Sequence, residues 1–165
     1  MFEQRGNLWE HYGQLKKLEK LFELNLSIIE ELETILLDNL EELEDYLTFL
    51  EDEERVFAEK IKASLRTILQ HLEDLKDKTE RNWEEVEITI IHLLVHKRPV
   101  NPQTLRDIYF GEFYRKLEVL KDYINLHRDL FRDEFEKYKL FKKFPADIYI
   151  RFLEKLTEFN REFWR

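Results

Sequence analysis

Five histidines are the side chains in this sequence best suited to bind a metal or move a proton: His11, His71, His92, His96 and His127. His92 and His96 stand four apart, which puts both imidazoles on one side of a helix at a metal-ligand spacing. In Arg66-Thr67-Ile68-Leu69-Gln70-His71, four residues separate an arginine from a histidine. An arginine can stabilise negative charge on a scissile phosphate while a histidine acts as general acid or base. A third set is basic and aromatic: Lys139, Lys142, Lys143, Arg151, Lys155, Arg161 and Arg165 lie near Phe141, Phe144 and Tyr149. Positive charge beside stacking rings is the composition of a single-stranded nucleic-acid surface, and Lys142, Lys143, Arg151 and Lys155 are its candidate RNA contacts. Glu154, Glu158 and Glu162 share the last of these segments and oppose that reading.

In number and order the histidines resemble those of the hemerythrin family, di-iron oxygen-binding helical bundles. The resemblance implies a metal site that includes His92 and His96. The sequence departs from it at two ligand positions. Leu75 stands four residues after His71, where the family has a carboxylate, and Arg132 stands five after His127, where it has an aspartate. Register also separates the rings. With a turn near residue 100, His96 precedes the turn by a few residues and His127 follows it by 27, an axial offset of roughly 30 Å. The Glu-x-x-His route to a carboxylate-bridged metal pair is closed, because none of the five has Glu three positions earlier. The expectation is no cofactor and no bound metal, with His92 structural inside an apolar run.

The Arg66–His71 pattern resembles the signature of the HEPN families, helical bundles that often act as RNases at a dimer interface. It implies phosphodiester chemistry at those two residues. Thr67 follows the arginine where those families favour Asn, Asp or His.

Other chemistries are excluded by what is missing. The chain has no cysteine, so disulfides, thiolate metal sites and cysteine nucleophiles are ruled out. It has no Gly-rich phosphate loop and no Gly-x-Ser-x-Gly, and Ser27 and Ser64 fall within helical patterns. A net charge of −9 disfavours duplex DNA. No run approaches a membrane span, and the mixed polar N-terminus is unlike a signal peptide, so a cytoplasmic protein is expected. One methionine, four glutamines and abundant Glu, Lys, Leu and Phe point to a thermophilic source.

The elements that must position these residues are helices. From Gln14 to Arg98 there are 85 residues without glycine or proline, so nothing removes a backbone donor or favours a left-handed turn. Leu15, Phe22, Ile29, Leu36, Leu43 and Leu50 recur every seven residues. Leu18, Leu32 and Tyr46 lie on a second series whose other members, Asn25 and Asn39, can fix register by pairing with buried polar groups. Asn7 with Glu10, and Asp38-Asn39 with Glu41-Glu42, read as helix caps. Glu51 to Glu54 reads as a turn leading into an acidic first helical turn. Phe57, Ile61, Leu65, Ile68, Leu72 and Leu75 line the next helix, with a break expected at 76–82 and deep burial at Val86 to Val95. Pro99-Val100-Asn101-Pro102 separates the second helix from the third, with Asn101 as cap. The third helix turns Phe113, Leu117, Leu120, Ile124, His127, Phe131 and Tyr138 inward, with Gly111 permitting a close contact. Phe144-Pro145 ends it, and the last helix presents Ile148, Phe152, Leu156, Phe159 and Phe163.

The charge is uneven along this frame. Residues 1–100 carry a net −11 and residues 101–165 a net +2, while 15 of the 23 aromatics fall in the second part. Together these features predict an all-α, antiparallel up-and-down bundle of four long helical spans, one or two of them broken, in a single domain over 1–165. The expected function is a non-enzymatic protein–protein interaction or assembly module, either a small subunit of a larger complex or a self-associating chain. The alternative is an RNA-associated helical protein, a HEPN-like nuclease or a small subunit of a ribonucleoprotein effector. A hemerythrin-like metal-binding bundle is the second alternative.

Overall fold

The computed structural model describes the backbone of residues 2–98, 101–137 and 146–163. Four helices account for nearly all of it: α1 Phe2–Leu47, α2 Asp52–His96, α3 Pro102–Lys137 and α4 Ala146–Phe163. α1 packs on α2, α2 on α3, α3 on α4, and α4 closes back on α1, while the α1–α3 diagonal is slight. That cyclic order is an antiparallel up-and-down bundle. Among the described residues there is no strand.

The long helices run through the expected breaks. α1 continues across Asp38 to Glu42 and α2 across Lys76 to Asn82. Both segments carry cap-like residues, but no Gly or Pro enforces a stop, and a cap signal alone is worth only about 1 kcal/mol. Asn7 likewise lies inside α1 rather than at its start. Over 46 residues α1 reaches about 69 Å, whereas the 18 residues of α4 reach about 27 Å.

The boundaries have clear causes. The α1–α2 turn is tight: Phe49 and Leu50 N–H both donate to the Tyr46 carbonyl at 3.1 Å. α2 then opens with Asp52, Glu53 and Glu54 at its positive end. It stops at His96, where Lys97 takes a left-handed conformation (φ 51°) ahead of Pro99. Asn101 caps α3, its Oδ1 accepting from the Gln103 N–H at 3.1 Å. A Cβ added at Gly111 would meet nothing within 4 Å, so this glycine serves no close contact.

Two apolar clusters fill the interior. The larger draws Ile28 to Leu50 of the first helix and turn, Phe57 to Leu75, Phe113 to Phe131, and Tyr149, Leu153 and Leu156. The smaller is made by Leu15, Leu18, Leu21, Phe22, Val86, Ile90, Leu93 and Phe110. Between them in sequence, on α1 and α2, lie the buried polar residues Asn25, Thr79 and Asn82, and Asn160 of α4 is buried opposite Asn25. The heptad series of α1 is buried throughout, as is the Phe57 to Leu75 face of α2. The inward face of α4 is rotated from the expected one. Tyr149, Leu153, Leu156 and Asn160 are buried, while Ile148 is exposed.

Candidate functional site

Arg66 and His71 diverge within one chain. Five residues on a helix turn the side chains about 140° apart. Arg66 reaches towards α1, where its guanidinium donates to Glu44 Oε1 at 3.3 Å beside Lys62 at 2.9 Å. The hydrogen bond and charge of Lys62 hold the Glu44 carboxyl below its usual range. His71 faces α3 instead and stacks on Tyr123, with centroids 4.3 Å apart. Within one chain the two groups therefore do not share a face.

His92 and His96 do come together, with ring centroids 5.3 Å apart, on an exposed face of α2. Among the described residues no group of three or more His, Cys, Asp or Glu side chains is placed to hold a metal. The pair therefore offers two ligands on open surface. The run around His92 is not deeply buried. Val86, Ile90 and Leu93 point inward, whereas Ile88, Ile91, Leu94 and Val95 are 54–66% exposed. Among the described residues, α2 has neighbours on one side only at this level.

Of the basic set, Lys139, Lys142, Lys143 and Arg165 lie outside the described residues, as do Phe141, Phe144 and Tyr138. Arg151, Lys155 and Arg161 are exposed on α4, and so are Glu154 and Glu158 between them. Tyr149 is not available for stacking. It is fully buried, its hydroxyl bonded to Asn39, and burial pushes its phenol up to about 12.

The built polar sites are internal. Asn25 and Asn160 exchange two amide hydrogen bonds, at 3.1 and 2.9 Å, and Asn160 also donates to the Leu156 carbonyl at 2.7 Å. The Asn39–Tyr149 bond is a second link between α1 and α4. His127 is buried between Phe131 and Tyr149, with Nδ1 2.7 Å from Ser64 Oγ, and burial lowers its pKa to about 4. A neutral histidine beside a serine hydroxyl has the composition of a nucleophile and its base. Ser64 sits mid-helix, however, so the N–H groups around it are spent in the α2 ladder rather than aimed at a developing oxyanion.

The other notable surface is apolar. Along α3, Val119, Tyr123, Leu126 and Leu130 are 38, 38, 51 and 57% exposed. Their four–three–four spacing puts them in one row beside the buried face. The row borders an open groove of about 1020 Å³ between α2 and α3, lined by Val56, Phe57, Lys60, Ala63, Leu130 and Phe131. Neither this row nor the Ser64–His127 contact was anticipated from sequence; the row's spacing was the available signal.

No described helix is long and apolar enough to cross a membrane. No family model matches the chain, and no curated protein or solved structure is similar to it.

Proposed function

We propose that this chain is a non-enzymatic, cytoplasmic assembly module that works by burying exposed helix faces against another protein chain. The observation that carries this reading is the pair of apolar surfaces just described, Ile88, Ile91, Leu94 and Val95 on α2 and Val119, Tyr123, Leu126 and Leu130 on α3. Contiguous apolar surface of this kind is uncommon on a protein that works alone, and isolated exposed leucines would not argue the point. Side chains in such rows gain by leaving water, which is the main driving force of helix association.

The test is the native mass of the particle in extracts of the source cell. The expected result is a particle well above the 20.5 kDa of one chain. A free 20.5 kDa chain overturns the proposal. Collapse of the larger particle on nuclease treatment replaces it with the ribonucleoprotein reading.

A further inference from the structure

The α3 row continues in both directions with charged residues at the same spacing. Read along one face, the sequence is Glu112, Lys116, Val119, Tyr123, Leu126, Leu130, Asp133, Lys137. At 3.6 residues per turn these eight positions stay within one stripe about 37 Å long. The stripe has a symmetry that composition alone does not require. Turned end for end about the midpoint between Tyr123 and Leu126, it sets Glu112 against Lys137, Lys116 against Asp133, Val119 against Leu130 and Tyr123 against Leu126. Every apolar position meets an apolar one, and every charge meets its opposite.

From this complementarity we infer that α3 is the docking face for a second copy of this chain, bound antiparallel about a two-fold axis near Tyr123 and Leu126. A two-fold contact brings one patch against itself, so the patch must be self-complementary, and this one is. The four–three–four spacing is that of a helix–helix seam. The charged ends supply the register that four apolar residues alone would leave loose. The inference rests on the assembly reading above and names its partner.

The surroundings fit. Glu112 is paired with Lys78 of α2, and Lys137 lies 3.9 Å from Glu53, so the outermost charges are shared with α2 and the register rests mainly on Lys116 and Asp133. Tyr123 is braced by the stacked ring of His71. On the outer edge the two-fold sets Asp122 near Asp129, but Asp129 already accepts from Arg128 at 3.2 Å and Arg132 at 3.3 Å. The α2–α3 groove beside Leu130 gives the partner's side chains room to enter. The exposed face at the end of α2 is not matched when its two isoleucines meet. Setting Ile88 against Ile91 of a second copy puts Arg81 opposite Arg98, like against like.

The experiment needs no other partner: the purified chain is measured by light scattering and analytical ultracentrifugation from about 1 to about 50 µM, at low and moderate salt. The wild type should be a dimer. Lys116→Glu sets two acidic pairs at the ends of the seam and Asp133→Lys two basic ones, so each single variant should weaken the dimer at least tenfold. Both positions are at the surface of α3, and circular dichroism should show unchanged helix. Mixing the two monomeric variants one to one should restore a dimer, because each then supplies the charge that the other lacks. The double variant should dimerise alone. A wild-type chain that stays monomeric overturns the inference, while a large native particle in the same cells would leave the assembly reading standing. A dimer indifferent to both charge reversals but lost on Ile91→Glu overturns it in favour of the α2 face.

Discussion

The two apolar clusters differ in how many helices enclose them. The larger is walled by α1, α2, α3 and α4, and most of its members have no exposed surface. The smaller rests on α1, α2 and the beginning of α3, and among the described residues α4 reaches it only through the half-buried Phe159. Around the larger cluster four helices share the work of covering one another. Near the smaller one, α2 keeps one face covered and leaves Ile88, Ile91, Leu94 and Val95 outside. The level at which α4 ends is therefore where a closed core gives way to a bundle with an open side.

Truncation should separate the two regions most sharply. Leu65→Ala, in the larger cluster, should cost about 3–5 kcal/mol, and Leu93→Ala, near the end of α2, about 2 kcal/mol. Urea unfolding with matched slopes measures both. Equal losses would mean that the open side does not loosen the packing.

Acid should act on the larger cluster through His127. Its folded pKa of about 4 lies below the ordinary value of 6.5, so the unfolded chain binds more protons between them. Stability is then fully present above pH 6.5 and falls as pH drops towards 4, by roughly 3 kcal/mol at most. In His127→Leu this contribution should vanish, leaving a shallower decline over the same window. A variant whose stability tracks the wild type at every pH would assign the whole slope to carboxylates.

The boundary between the clusters can be tested through its amide pair. Asn160→Ala leaves Asn25 buried without its partner and should cost about 1–3 kcal/mol. Replacing both with leucine should recover much of that loss, because neither orphaned amide remains. The cycle of single and double variants reads the coupling directly, and additive losses would show that the two amides do not depend on each other.

The smallest effect concerns Gly13 and Gly111. Gly111→Ala and Gly13→Ala should each stabilise by about 0.5–1 kcal/mol, since a Cβ meets nothing at either position and alanine is the better helix former. A fall in thermal midpoint at Gly111 alone would reveal a contact with a second chain near the start of α3.

Much of this architecture was legible because α1 and α2 repeat one simple rule over long distances. Leu15 to Leu50 every seven residues marks a buried line, and Asn25 and Asn39 on the adjacent line did find polar partners. The rotation of α4 was not legible. Its flanking residues Ile148, Phe152 and Phe159 are as apolar as the buried ones, and its angle is decided by Tyr149 and Asn160 meeting asparagines more than a hundred residues earlier. The run at Ile90 to Val95 misled for a related reason. Apolar residues all round a helix predict burial only where neighbours exist on every side. Of the site candidates, the divergence of Arg66 and His71 follows from their spacing, whereas the meeting of His127 with Ser64 needs the α2–α3 register, which no local pattern carries.

The turn at Thr48 to Glu51 also sets an order of events. It brings α1 and α2 together through contacts that grow outward from a four-residue link, so each added turn of helix closes only a slightly longer loop. α4 packs on its neighbour α3, but its ties to α1 are remote in sequence. Its bonds to α1 span 110 and 135 residues and form only after the rest of the chain has been gathered. Folding should then begin as a zipped hairpin and finish with the arrival of α4, which would also be the first helix to leave. Amide hydrogens of α4 should exchange ahead of those in the middle of α1 and α2, under conditions where the hairpin stays shut.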